Sequence, residues 1–138
     1  MPHVLVTRRV HFCAAHKLTR KEWTEEKNRE VFGDCAHPNW HGHNYELDVT
    51  VEGEIDRETG YVLDLKRLQH VVRHSVIDDL DHRNLNLDVK WVEHTIPTTE
   101  NLVVAIWDRI RPRLPEGIDL KRLVLRETPQ NWAEYEGG

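Results

Sequence analysis

The sequence predicts an α+β domain in which one antiparallel sheet of four strands is covered by two helices. Residues 45–54 alternate apolar and polar side chains without a break, as in a strand with one buried face. Residues 65–80 repeat apolar side chains at helical spacing, and a second helical stretch follows Thr98. Strand-like stretches also lie near both ends of the chain. The predicted order is therefore strand, strand, helix, helix, strand, strand.

The first strand is predicted over residues 4–15. Val10, Phe12 and Ala14 share one parity, and that parity ends on His16. Because alternate side chains of a strand point to the same face, His16 is expected on the apolar face at the end of this strand.

A polar segment over residues 17–34 follows the first strand. Thr24 is a suitable N-cap for a short helix over residues 25–31, and Gly33 is suited to end it. The second strand is expected to begin with residue 41 and to run to residue 54, because its apolar parity extends backwards to that point.

The first of the two covering helices is predicted to begin after Asp64, which caps it, and to reach Leu80. The segment 78–97 is rich in Asp, Asn and His and is interpreted mostly as loop. Thr98 is expected to cap the second helix, and Pro112 stops it.

Two closing strands are predicted over residues 120–126 and 132–135, around a turn at residues 129–131. A four-stranded sheet of this kind has an edge on each side, and proteins cover, charge or pair such edges. Pairing with a second copy of the chain and a monomer with charged edges are both compatible with the pattern.

Composition indicates one soluble domain over residues 1–138, with 38% hydrophobic and 31% charged residues. The net charge of −5 argues against general nucleic-acid binding, which favours a basic surface. No apolar run is long enough to cross a membrane, and the first residues lack a signal-peptide profile, so we expect a cytoplasmic protein. Two cysteines fit a reducing compartment, and ten histidines favour metal binding.

A metal site is predicted at the start of the second strand, where His41 and His43 are two residues apart and therefore share a face. Catalytic zinc usually has three protein ligands, and His16 is the natural third. His16 is alternatively a strand-end imidazole bonded to backbone. His11, which has the opposite parity, and His37, in a loop, are competing ligands. An all-imidazole set favours zinc over magnesium or calcium.

A thiol precedes this strand. Cys35 lies six residues before His41 in a loop, whereas Cys13 lies inside the first strand and is interpreted as a small packed residue. A nearby cation would raise the thiolate fraction of Cys35, although an inert loop thiol is the alternative. Asp81 and His82 are adjacent, and a carboxylate beside an imidazole can hold its tautomer for proton transfer.

One carboxylate continues an apolar strand face, because Glu127 shares the parity of Leu123 and Leu125. An ionised carboxylate in such a place requires hydrogen-bond donors. A heterocycle with an amino group next to a ring N–H would supply two of them. An exposed glutamate at the strand end is the alternative.

Seven segments in one order give the chain a resemblance to the 6-pyruvoyl-tetrahydropterin synthase family over nearly its whole length. They are Phe12-Cys13-Ala14-Ala15-His16, Phe32-Gly33-Asp34-Cys35, Pro38-Asn39-Trp40-His41-Gly42-His43-Asn44-Tyr45, Gly53-Glu54-Ile55-Asp56, Leu80-Asp81-His82-Arg83-Asn84-Leu85, Pro97-Thr98-Thr99-Glu100-Asn101 and Arg126-Glu127-Thr128. Each segment alone is weak, whereas the ordered set is specific.

The resemblance implies the tunnelling fold, in which subunits join their sheets into a barrel, as trimers paired into a hexamer with active sites at subunit interfaces. It also implies roles for ten residues of this chain. The matching positions are His16, His41 and His43 as zinc ligands, Cys35, Asp81 and His82 as catalytic residues, Glu127 as the pterin-anchoring carboxylate, and Thr98, Thr99 and Glu100 as pocket-lining residues.

The implied activity is that of a zinc-dependent lyase of tetrahydrobiopterin biosynthesis. It converts 7,8-dihydroneopterin triphosphate to 6-pyruvoyl-tetrahydropterin and eliminates triphosphate. The family also contains the 6-carboxy-tetrahydropterin synthases of queuosine biosynthesis, which release acetaldehyde and triphosphate. Five residues separate Cys35 from His41, as in the pyruvoyl-forming branch, whereas the carboxy-forming branch generally has three. A third hypothesis is a non-catalytic, zinc-stabilised oligomeric binding module.

The chain departs from the common family pattern at three positions. Cys13 stands where serine is frequent, and His37 and Trp40 stand where small or amide residues are more usual. Trp40 directly precedes His41 and is expected either to reshape the pocket or to pack outside it.

Overall fold

The computed structural model describes residues 2–138 and shows an α+β domain with one five-stranded sheet and three α-helices. The strands are β1 (His3–His16), β2 (His41–Glu54), β3 (Arg83–Asn84), β4 (Asp119–Thr128) and β5 (Asn131–Tyr135). The helices are α1 (Glu25–Phe32), α2 (Leu65–Val72) and α3 (Thr99–Ile110). The strand order in the sheet is β3-β1-β2-β4-β5.

The prediction of four antiparallel strands is wrong in one respect, because β3 is a fifth strand and makes the sheet mixed. It pairs in parallel with β1 at Ala14 and Ala15, within the segment interpreted as loop. Two residues are too few to show strand periodicity, so the sequence pattern gives no signal for β3. The other pairings are antiparallel, as predicted.

The helix starts agree with the predicted N-caps. The side chains of Thr24, Asp64 and Thr98 accept hydrogen bonds from backbone N–H groups in the first turns of α1, α2 and α3, respectively. Helix α2 continues through a π-helical stretch, Arg73–Ile77, and a last α-helical turn, Asp78–Leu80. The end of this helical segment is therefore as predicted, whereas its π-helical stretch was not predicted. Helix α1 agrees with the short helix expected over residues 25–31, although the predicted order counted only the two covering helices.

The core lies between the helices and one face of the sheet. Phe12 on β1 stacks on its cross-strand neighbour Tyr45 on β2, with ring centroids 4.8 Å apart and planes 11° from parallel. The apolar face continues along β2 and β4 through fully buried aliphatic side chains. Where β1 ends and β2 begins, this same face changes from aromatic and aliphatic residues to histidines.

The opposite face of the sheet carries a partly exposed cluster of ion pairs across the three central strands. Arg9 donates two hydrogen bonds to Asp48, of 2.7 and 3.1 Å, and Arg126 donates a third of 2.8 Å. The hydrogen bond from Arg9, and then that from Arg126, hold the pKa of the Asp48 carboxyl below its ordinary value, although burial opposes them.

Asp48→Asn is expected to change the acid sensitivity of the fold. The folded-state pKa of Asp48 is depressed, so its contribution to stability is full well above the unfolded value of about 3.9 and is lost as pH falls through the folded pKa. The stability difference between wild type and variant should therefore shrink below about pH 4. Urea unfolding at stepped pH measures it. Asp119→Asn, on the exposed start of β4, is the control, and an unchanged difference down to acid pH would contradict the assignment.

No helix within residues 2–138 is both long enough and apolar enough to span a bilayer.

Candidate metal centre

Three histidines meet at the ends of β1 and β2. His16 is the cross-strand neighbour of His41. His43 pairs with Ala14, two residues further along the ladder and on the same face. The ring centroids are 4.5 Å apart for His16 and His41, 5.1 Å for His16 and His43, and 5.0 Å for His41 and His43. One nitrogen from each ring lies within 4.8 Å of the others, so this group can hold a metal ion.

The hydrogen bonds of these rings leave nitrogens free for a metal. His16 Nδ1 donates to the carbonyl oxygen of Pro97 at 2.9 Å, which fixes the tautomer and leaves Nε2 as an acceptor. The Nε2 atoms of His16 and His43 are buried without a hydrogen-bond partner among the described residues. Because buried polar atoms are normally satisfied, a bound cation explains both.

Burial also favours the neutral imidazoles that metals require. It lowers the pKa of His16, and it lowers the pKa of His41, where His43 acts in the same direction. The donor set, its burial and its unsatisfied nitrogens therefore fit a divalent transition metal.

The structure separates this group from the two competing histidines. His11 is exposed and has the opposite parity on β1. His37 lies in the loop before β2, where its Nδ1 accepts a hydrogen bond from the backbone N–H of Asn39 at 3.1 Å. The predicted backbone hydrogen bond of His16 is present, and it is compatible with a ligand role because a metal would use the other ring nitrogen.

Glu127 lies beside the histidines at the end of β4. Its Oε1 is 3.3 Å from His43 Nε2, too poorly directed to count as a hydrogen bond, and its Oε2 accepts a short hydrogen bond from the Thr99 hydroxyl. The expectation that this carboxylate has a donor partner is thus confirmed. The Thr99 side chain, at the start of α3, therefore positions Glu127 next to the three histidines.

The neighbouring residues of α3 have different positions. The hydroxyl of Thr98 is used as the N-cap and accepts from the backbone N–H of Asn101 at 3.1 Å. Glu100 is exposed and lines an open cleft together with Thr99 and residues 130–134. Of the three predicted pocket residues, only Thr99 contacts Glu127 through its side chain.

Cys35 lies in a short 3₁₀ turn, Gly33–Ala36, which is separated from the start of β2 by four residues. Its carbonyl oxygen accepts a hydrogen bond of 2.7 Å from the N–H of Leu18, which ties this turn to the residues just after His16. Burial, and then the charges of Glu127 and Asp34, raise the pKa of the thiol. A thiolate at this position therefore requires a compensating positive charge nearby.

Asp81 and His82 are held against β1. The N–H of Cys13 donates to Asp81 Oδ1 at 2.9 Å, and the N–H of His82 donates to the Cys13 carbonyl at 2.6 Å. His82 has a positive φ of 61°, and its Nδ1 lies 3.1 Å from Asp81 Oδ1. The predicted carboxylate–imidazole pair is therefore in contact, with 79% of the His82 side chain exposed.

The thiol and this pair are not joined within one chain. Across residues 2–138, no hydrogen bond, ion pair or ring contact links Cys35 to Asp81 or His82. His82 instead lines an open cleft of about 540 Å³ that His43 also lines.

Trp40 adopts a backbone conformation that favours glycine. Its φ is 65°, and the ring lies under the Lys17 ammonium, 4.3 Å from nitrogen to centroid. Lys17 directly follows His16, and Trp40 directly precedes His41, the cross-strand neighbour of His16. The tryptophan ring thus packs across the strand ends beside the metal centre, at a cost in backbone strain.

Trp40→Gly is expected to be more stable than Trp40→Ala by about 1 kcal/mol, because both lose the ring but only glycine adopts this φ without strain. Urea unfolding midpoints of the two variants, compared at equal m-values, measure this difference. Equal stabilities, or a more stable alanine variant, would show that the left-handed conformation is not retained in solution.

Two residues at the centre gave no functional signal in the sequence. Pro97 contributes only its carbonyl oxygen, which binds His16, and a backbone acceptor has no sequence signature. Tyr45 is fully buried, with ring centroids 6.3 Å from His16 and 5.7 Å from His43. Its hydroxyl has no hydrogen-bond partner among the described residues, and burial raises its pKa.

The family profile described as "PTPS: 6-pyruvoyl tetrahydropterin synthase" matches residues 5–138. The chain belongs to this family. Relatives named 6-pyruvoyl tetrahydrobiopterin synthase include those of Pongo abelii, 43% identical over 96% of this chain and 90% of the relative, and of Homo sapiens, 42% identical with the same coverage.

Two further matches bear on fold and activity. A solved structure of 6-pyruvoyl tetrahydropterin synthase from Caenorhabditis elegans aligns with a TM-score of 0.93 and 36% identity, over 100% of this chain and 98% of that one. A relative from Pyrococcus furiosus, 41% identical over 93% of each chain, is named dihydroneopterin monophosphate aldolase. Family membership is thus compatible with more than one named activity.

Proposed function

We propose that this chain is a zinc-dependent 6-pyruvoyl-tetrahydropterin synthase, a lyase that acts on 7,8-dihydroneopterin triphosphate. The observation that carries the proposal is the three-histidine group, with His16 buried, His41 and His43 partly buried, and Glu127 beside them. The names of the relatives from Pongo abelii and Homo sapiens support the same activity.

The proposed metal is zinc, held by His16, His41 and His43, because all three donors are imidazoles. When bound, zinc would acidify the side-chain hydroxyls of the substrate and stabilise oxyanion charge as a Lewis acid. Its charge would also oppose the burial that raises the pKa of Cys35.

Glu127 is proposed to anchor the pterin by accepting from the ring amino group and the adjacent ring N–H. Thr99 holds one carboxylate oxygen, so the orientation of this acceptor is set before the substrate binds. Thr98 and Glu100 are proposed to line the pocket. Thr98 contributes by capping α3, which fixes the backbone at the start of this helix.

Cys35 is proposed as the general base that takes and returns protons on the side-chain carbons. The reaction is redox-neutral overall. The carbinol carbon next to the ring becomes a ketone as the N5–C6 double bond gains two hydrogens. Loss of the next C–H proton with departure of triphosphate gives an enol, which tautomerises to the methyl ketone. The substrate therefore supplies both oxidant and reductant.

Asp81 and His82 are proposed to move protons on the other side of the substrate, with Asp81 orienting the imidazole. Because His82 is exposed and does not contact Cys35 in its own chain, it is proposed to serve a thiol of a neighbouring subunit. Such an arrangement fits a barrel made by pairing the edges of neighbouring sheets, in a homohexamer of two trimers.

A second candidate activity is carbon–carbon cleavage. The Pyrococcus furiosus relative, with its aldolase name, favours this class of reaction. The 6-carboxy-tetrahydropterin synthase reaction also breaks a carbon–carbon bond, but the five-residue gap between Cys35 and His41 favours the pyruvoyl product.

Mass analysis of products from dihydroneopterin triphosphate and monophosphate tests the proposal. We expect 6-pyruvoyl-tetrahydropterin and triphosphate from the first substrate. Release of acetaldehyde would replace the proposal with the carboxy-forming reaction, and turnover of the monophosphate alone would replace it with an aldolase. If the zinc-loaded protein turned over neither substrate, the hypothesis of a non-catalytic binding module would replace the proposal.

A further inference from the structure

The solvent-exposed side of α2 carries two histidines and an aspartate spaced one helical turn apart. His70 and His74 have ring centroids 4.1 Å apart, and His74 Nδ1 lies 3.4 Å from an oxygen of Asp78. All three residues are exposed. Leu68, Val72 and Val76 face the core from the same helical segment, so packing holds the two imidazoles outward and side by side.

The backbone beneath this pair is unusual. His74 lies in the π-helical stretch Arg73–Ile77, in which the Ser75 hydroxyl donates to the Val71 carbonyl at 2.6 Å. A π-helical turn inserted in an α-helix is rare and frequently marks a functional position. His70 precedes this stretch and His74 lies within it, so an ion held by both side chains would connect the regular helix to the irregular turn.

We propose that His70 and His74 form a second transition-metal site, open to solvent and separate from the three-histidine centre. Two histidines four residues apart on one helical face are a known arrangement for chelating zinc. Imidazole donors suit Zn2+, Ni2+ and Cu2+, whereas Mg2+ and Ca2+ prefer oxygen ligands.

The remaining coordination positions are occupied by water. Asp78, whose oxygen lies 3.4 Å from His74 Nδ1, is placed to orient that imidazole rather than to act as a third ligand, because His16, His41 and His43 are the only described residues that bring three donors together. With only two imidazoles and free access from solvent, the site exchanges its metal rapidly and binds more weakly than the buried centre. It therefore takes up a labile transition-metal ion and, by bridging successive turns, restrains the π-helical stretch.

The site does not depend on the proposed enzymatic activity, so metal stoichiometry tests it directly. The full-length protein is first loaded with zinc and dialysed against a weak chelator, which leaves only tightly held metal. Ni2+ is then added and followed by calorimetry. Wild type is expected to bind one further ion per chain, and His70→Ala/His74→Ala is expected to lose that ion without losing turnover.

A matched double variant, His11→Ala/His94→Ala, removes two exposed histidines that lie on different elements. It is expected to retain the second ion. Each single variant, His70→Ala or His74→Ala, is expected to lose affinity by on the order of tenfold or more, because chelation requires both rings.

Hydrogen exchange provides an independent readout. Ni2+ is expected to slow exchange of the amides in Arg73–Ile77 in wild type and not in the double variant. Equal Ni2+ binding by wild type and His70→Ala/His74→Ala would overturn the proposal. Binding that left exchange in this stretch unchanged would also overturn it, since it would indicate adventitious contact with single imidazoles.

Discussion

Cys35→Ala is expected to lower kcat for dihydroneopterin triphosphate by about 10²- to 10⁴-fold, the usual contribution of a positioned general acid or base. The zinc content should remain unchanged, because the thiol is not one of the three grouped metal donors. Initial rates of triphosphate release, with zinc determined on the same samples, measure both quantities.

Cys13→Ala is the matched control for this variant. The interpretation of Cys13 as a small packed residue is wrong, because Cys13 is exposed. Its Sγ donates to the side-chain oxygen of Asn44 at 2.9 Å and lies on the face of β1 opposite His16. Only its backbone holds Asp81 and His82, so alanine should preserve them and turnover should stay close to that of wild type. Undiminished turnover by Cys35→Ala would remove the thiol from the proposed mechanism.

His41→Ala is expected to lower tightly bound zinc well below one ion per chain, because two imidazoles remain where three converge. A ligand present at 100 to 1,000 times its Kd stabilises the folded state by about 2.7 to 4.1 kcal/mol. The drop in Tm that a strong chelator causes in wild type should therefore largely disappear in this variant.

His11→Ala is the control for metal content, since it removes an exposed histidine from the opposite face of β1. Atomic absorption measures the zinc content of both variants. Dialysis against a weak chelator beforehand removes ions held only by the exposed histidines of the α2 segment. Retention of a full zinc equivalent by His41→Ala would refute the proposed ligand set.

The convergence of His16, His41 and His43 could be predicted from the sequence because strand parity is a strict geometric rule. Once residues 45–54 are a half-buried strand, His41 and His43 must lie on its apolar face. The parity of Phe12 and Ala14 brings His16 to the same face, and the antiparallel ladder makes it the neighbour of His41. Glu127 followed from the same rule on β4.

Other features depended on contacts that carry no local signal. Strand β3 exists because the backbone around His82 binds the carbonyl of Cys13, a pairing between distant segments. The π-helical stretch that continues α2 and the left-handed backbone of Trp40 likewise have no signature in the local sequence pattern. The separation of Cys35 from Asp81 and His82 depends on tertiary placement, which adjacency in sequence does not reveal.

The hydrogen bond from His16 to the Pro97 carbonyl has a mechanical consequence. Pro97 and Thr99 flank the residue that caps α3. Pro97 accepts a hydrogen bond from the His16 imidazole, and Thr99 donates one to the Glu127 carboxylate. A small rigid-body displacement of α3 would therefore carry both hydrogen-bonding atoms in the same direction. Because one helix start fixes both groups, such a displacement would preserve the spacing between the His16 imidazole and the Glu127 carboxylate.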